Sequence, residues 1–255
     1  METPPGFAQY PRPQMPILVS GIRPMPPGAH LEAISDAFKL VQKDMATWVA
    51  TALLSAVIYL LFYVPTVVGS NMLEYGSIIP APGQLPSIAG VGESILLSLI
   101  TLAVQVTLLT RMYKMALKSM RGQAISVGDL FADLGDAPRC FITIFCSSLL
   151  TAVGFLGCII PAFWLSGAFS LAPFLVIDQG QSPFTAIGES FKVAGNFSVG
   201  ISMFGIQLVL GIVAVAGLIA CGVGVLITAP IVVVSMAIHY YYFFPEAFSE
   251  SVTYQ

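Results

Sequence analysis

The chain has 255 residues, 56% of them hydrophobic and 9% charged, with 10 basic and 13 acidic side chains and a formal net charge of -3. Soluble domains carry about 25% charged residues to face water, so this composition excludes a soluble globular fold and makes a bilayer the solvent. The small net charge gives no reason to expect a nucleic-acid or strongly charged partner.

Residues 1–30 hold eight of the 18 prolines. They read as an extended, Pro-rich tail with no apolar signal-peptide core. A PxxP spacing in "RPQMP" (Arg12 to Pro16) could dock on an aromatic groove, but such spacings are common in Pro-rich tails and a flexible leader is the favoured reading. An interfacial helix is expected over about 32–45, then a first span over about 46–69 and a second over about 93–115. Glu93 opens the second span, where a carboxylate suits the helix dipole. Another interfacial helix is expected at about 127–137.

From Cys140 to Ile177 there are 38 residues without a charge, about twice what one helix needs to cross a 30 Å core. "GFLGCIIP", with Gly154, Gly157 and Pro161, interrupts the run. The expectation is therefore two spans, about 141–159 and 161–178. Asp178 reads as the terminator of the second. A third interfacial helix follows at about 183–195, with Ser182-Pro183 as its start signal. Phe197 to Pro245 is a further uncharged tract, of 49 residues. "ACGVG" breaks it into spans at about 197–220 and 224–244, before a short tail at 246–255.

Six spans gather every basic residue on one side: Arg12, Arg23, Lys39 and Lys43, then Arg111, Lys114, Lys118, Arg121 and Arg139, then Lys192. A four-span layout would strand Lys192 opposite the rest. Cytoplasmic loops attract Lys and Arg, so both termini are expected in the cytoplasm.

A degenerate pattern precedes three spans: "ISDAF" (Ile34, Asp36, Phe38), "VGDLF" (Val127, Asp129, Phe131) and "IGESF" (Ile187, Glu189, Phe191). Apolar positions continue as Ile34/Phe38/Val41, Val127/Phe131/Leu134 and Ile187/Phe191/Ala194, one stripe per helix. Ser126 and Asp129 resemble a capping box. The expected architecture is all-α: six transmembrane helices in three units, each an interfacial helix plus a hairpin.

The candidate intramembrane polar contacts are Gln105 and Gln207, either interhelical hydrogen bonds or the lining of a path. Ala216, Ala220 and Gly224 follow the small-xxx-small spacing of close helix packing. His239 with Tyr240, Tyr241 and Tyr242 reads as an interfacial aromatic belt, or as a grip on a headgroup or quinone-like ring. Cys140, Cys146, Cys158 and Cys221 lack metal or redox spacing and read as apolar filler. A Cys158–Cys221 disulfide is the lesser alternative. With His30 and His239 as the only histidines, no catalytic constellation, metal site or cofactor site is expected.

"CIIPAFWLSGAFSLAPFLVIDQGQSPFTAIGESFKVAGNFSVG" and "ITAPIVVVSMAIHYYYFF" resemble uncharacterised bacterial multi-pass proteins related to the membrane domain of glycerophosphoryl diester phosphodiesterases. Pro161, the "LVID" span end, "AIGESFKVAGN" and Ala229-Pro230 carry the resemblance, over about residues 120–245. It implies embedding in a bacterial inner membrane. No phosphodiesterase domain accompanies it, so hydrolase activity is not implied. The resulting expectation is a non-enzymatic accessory subunit, its partners membrane lipids and other membrane proteins. A small transporter or channel is the alternative, and a lipid or envelope homeostasis factor the third.

Overall fold

A computed structural model describes residues 22, 25–79, 87–132, 134–157, 159–219 and 224–248. Those residues form helices and turns, with no strand among them. In chain order the helices are α1 (Glu32–Lys43), α2 (Met45–Tyr75), α3 (Ile88–Met120), α4 (Ala137–Gly157), α5 (Ile159–Ala168), α6 (Ala172–Gln179), α7 (Pro183–Ala194), α8 (Phe197–Ile219) and α9 (Val225–Phe243). Six segments are long and apolar enough to cross a membrane: Met45–Tyr75, Gly90–Met120, Val127–Phe155, Ile160–Gln179, Phe197–Ile219 and Val225–Phe243. This is a multi-pass membrane protein.

The span α2 has 31 residues, about 46 Å of helix, so it tilts in or projects from a core about 30 Å thick. Pro65 removes one of its donors. One residue on, the Thr66 hydroxyl bonds Phe62 O at 2.8 Å and lies 2.6 Å from Thr101 Oγ1, pinning α2 to α3. The helix α3 begins five residues before Glu93: Ser87 is its N-cap, its Oγ accepting from Gly90 N at 3.1 Å. Glu93 is exposed in the second turn.

The fourth span is two pieces. After Ala168 the chain makes a turn through Phe169 to Leu171, and α6 resumes with Pro173 in its first turn. Ser190 of α7 donates to Ala168 O at 2.7 Å, satisfying a carbonyl freed by that break.

Helix α9 occupies the middle of the bundle, touching α1, α2, α3 and α8. Every residue from Pro230 to Phe243 except Val232 is buried. Burial is graded along the bundle. In α2 it stops at Ser55, and in the described part of α4 at Thr143. In α3 it concentrates from Val106 to Met120. The bundle is therefore tightly packed at the end where α3 and α9 finish and α2 and α4 begin. It is loose at the other.

The repeated motif needs one correction. Where a helix was expected over 127–137, the chain makes two short 3-10 turns, Val127–Leu130 and Leu134–Asp136. The expected stripes are not the sides that pack on the bundle. In α1 the buried face is Ala33, Ala37, Leu40 and Val41, while Phe38 points outward and Ile34 is half-buried. Phe131 and Leu134 are likewise exposed, with Leu130 buried in their place. In α7 the face formed by Ala186, Ile187, Ser190 and Ala194 is buried and Phe191 is exposed. Small residues let these short helices lie close on the bundle, which leaves the phenylalanines on the outside. The Pro-rich stretch before residue 22 lies outside the described residues.

Candidate functional site

Arg111, Lys114, Lys118 and Arg121 recur at i, i+3, i+7 and i+10, a spacing that aligns them on one face of α3. Each holds a different piece of the packed end. Lys114 Nζ is 2.5 Å from Asp136 Oδ2, and Lys118 Nζ is 2.6 Å from Asp129 Oδ1. Asp129 Oδ2 also accepts from Ser126 N at 2.9 Å, closing the first 3-10 turn. Arg111 Nη1 donates to Ala132 O at 2.6 Å. The stripe thus clips the 3-10 segment onto α3.

Arg121 reaches further. It pairs with Asp178 at the end of α6 and donates to Ala247 O at 3.3 Å. Its guanidinium lies 4.8 Å from the Phe248 ring centroid, a cation–π contact. Asp178 has a side-chain exposure of 3% and accepts a second bond from the Tyr240 hydroxyl at 3.0 Å. Gln179 Nε2 donates to the same hydroxyl at 3.1 Å. One network therefore joins α3, α6, α9 and the 3-10 turn Pro245–Phe248.

These positions add a role for Asp178 at the end of its span and revise the reading of the tyrosines. Asp178 is a buried acceptor for two elements. His239, Tyr240, Tyr241 and Tyr242 form no lipid-facing belt: all four are buried inside the bundle. His239 Nδ1 lies 2.7 Å from Ser235 O, and its Nε2 accepts from His30 N at 3.2 Å. That pair of partners fixes the neutral tautomer with the proton on Nδ1. The Tyr242 ring packs edge-on against both imidazoles. His239 therefore ties the segment before α1 to the last span.

The two glutamines part company. Gln207 is half-buried and bonded to α5: Ser166 Oγ donates to its Oε1 at 3.1 Å, and Gln207 Nε2 is 3.4 Å from Ser166 O. Gln105 lies midway between Gly90 and Met120, is exposed, and has no hydrogen-bond partner among the described residues.

Close packing at the α8–α9 turn uses another residue than expected. Ala216 faces outward and Ala220 lies outside the described residues. Gly217 meets Gly224 and Thr228, where any Cβ would strike backbone. Among the cysteines, Cys140 and Cys146 are free thiols, and Cys158 and Cys221 lie outside the described residues.

The stripe on α3 was readable from its 3-4-3 spacing, because four cations on one face ask for counter-charges. Its partner Asp178 was not, since 57 residues separate it from Arg121. Among the described residues no three His, Cys, Asp or Glu side chains group as metal ligands would. The chemistry the site offers is charge pairing with carboxylates at one end of the bundle, with Gln105 midway along an apolar helix on its flank. No family model, curated protein or solved structure matches this chain, so its function is argued from its own residues.

Proposed function

We propose that the protein is a non-catalytic, multi-pass accessory subunit of a larger membrane assembly in a bacterial inner membrane, with both termini in the cytoplasm. One observation carries the assembly reading: the outward-facing amide of Gln105 at the middle of a span. An amide left in hydrocarbon is costly, and such groups turn toward protein. The Thr66–Thr101 contact sets the register of α2 against α3. One turn from it, Tyr63 of α2 lies at the depth of Gln105 and is 43% exposed. Around them Leu60, Leu61, Phe62 and Val64 are uncovered. A partner helix with a polar side chain at that depth would satisfy both groups.

The carrier or channel alternative draws less support. Helix α9 fills the centre of the bundle, and two open grooves lie on the bundle's flanks, along α3 by Glu74 and along α8 by Gln207. The resemblance to the phosphodiesterase membrane domain adds membrane embedding without hydrolase activity. A role in lipid or envelope homeostasis rests on that resemblance alone.

Extraction in a gentle detergent should yield a species larger than the 27.1 kDa chain. Gln105→Leu should weaken that assembly about threefold to tenfold, the worth of one interhelical hydrogen bond, while the chain itself stays folded. A monomer in native nanodiscs, with Gln105→Leu behaving as wild type, would contradict the proposal.

A further inference from the structure

At the loosely packed end of the bundle a groove of about 260 Å3 opens on the flank of α3. That is smaller than a pocket enclosing a drug-sized ligand, so its occupant is held from one side. Ile95, Leu99 and Leu102 give it an apolar floor, and its polar groups are Glu74 of α2 with Ser94 and Ser98 of α3. Glu74 is half-buried, and its carboxylate has no partner among the described residues. The connections at this end carry no counter-charge: no Lys or Arg lies between Lys43 and Arg111, between Arg139 and Lys192, or after Lys192. Gly90 lies level with Leu73, since a Cβ there would meet Leu73 O. At about 1.5 Å per residue, Ser94 then sits about 6 Å and Ser98 about 12 Å farther along α3. Ser94 Oγ already donates to Gly90 O at 2.8 Å. The Ser98 hydroxyl is exposed and bonds nothing among the described residues.

We infer that this groove binds a phosphatidylethanolamine-type lipid, with its primary ammonium on Glu74. Glu74 stands in the last turn of α2, whose 31 residues outrun a hydrocarbon core about 30 Å thick, and so lies at headgroup depth. An ammonium supplies both the missing positive charge and N–H donors for the carboxylate. A choline headgroup has the charge without the donors. A divalent cation would want roughly six or more oxygen ligands, and the groove offers one carboxylate and two hydroxyls. Deeper along α3, Ser98 donates to a glycerol ester carbonyl, and an acyl chain lies over Ile95, Leu99 and Leu102. The groove ends one turn before Gln105, so the site stands whether or not a partner helix covers that amide.

The test is native mass spectrometry of the full chain in detergent, titrated in turn with phosphatidylethanolamine, phosphatidylcholine and phosphatidylglycerol. The wild type should retain phosphatidylethanolamine most strongly. Glu74→Gln keeps the side-chain shape and should lower that retention about tenfold, the low end for a hydrogen bond to a charged group. The same variant should retain phosphatidylglycerol better than wild type does, because the repelling carboxylate is gone, a gain that misfolding cannot imitate. Ser98→Ala should weaken all three lipids about threefold and leave their order intact, since the ester carbonyl is common to them. Glu93→Gln is the control: it removes the same charge from an exposed position turned away from the groove and should change nothing. Equal retention of phosphatidylethanolamine and phosphatidylcholine by the wild type would overturn the inference. If Glu74→Gln instead loses the species larger than 27.1 kDa while lipid retention stays as in wild type, the groove holds a cation of a partner protein and the lipid assignment falls.

Discussion

Replacing Arg121 with alanine is expected to destabilise the protein by about 3–5 kcal/mol, the range for breaking a buried ion pair by removing one partner. Asp178 would remain inside the bundle with the Tyr240 hydroxyl as its only remaining donor among the described residues. The Phe248 ring would lose its cation and Ala247 O its donor. Asp178→Asn should cost less, because the Arg121 side chain is about a fifth exposed and can turn to water. Combining Arg121→Ala with Asp178→Asn removes the stranded charge and should recover part of the loss. Thermal unfolding in detergent, run as a double-mutant cycle, reads all three. Strict additivity would show that the two side chains do not form a unit.

A methyl group at Gly167 should be comparably harmful, and for steric reasons. A Cβ there would overlap the carbonyl of Gly200 on α8, which is backbone and cannot rotate away. Trp164 braces the same crossing, donating from Nε1 to Gly195 O at 3.0 Å. Its ring abuts Gly200. Gly167→Ala should therefore push α5 off α8 at a cost of at least about 1–3 kcal/mol, the usual penalty of overpacking. Gly205→Ala is the matched control, since nothing lies within 4 Å of its would-be Cβ. In a helix interior that change should gain up to about 1 kcal/mol from propensity alone. Opposite signs for two Gly→Ala changes in neighbouring helices would follow from the crossing geometry. Equal effects would refute it.

Hydropathy carried most of what was legible in the sequence. Helix length against bilayer thickness divides the tracts at 140–177 and 197–245, and the helices α4, α5 with α6, α8 and α9 follow from that division. Faces were harder to read. Around the bundle both lipid and protein are apolar, so hydrophobicity does not say which side of a span is buried. That is why Ala216 was taken for the packing residue where Gly217 makes the contact. Pattern also misled at 127–137, where Gly128 and Gly135 lie within the expected helix. Two ion pairs to α3 hold that segment in 3-10 turns instead. The buried network around Asp178 depends on tertiary contact between distant segments, which periodicity does not encode.

The central claim is that each uncharged tract crosses the membrane twice, so that the basic loops share one compartment. Single cysteines at Ser77, Gln123 and Lys192, in a chain with Cys140, Cys146, Cys158 and Cys221 replaced, test it by labelling with a membrane-impermeant maleimide in intact cells and in inverted vesicles. Positions 123 and 192 should react only in inverted vesicles, and position 77 only in intact cells. Labelling of position 192 from the same side as position 77 would contradict the account.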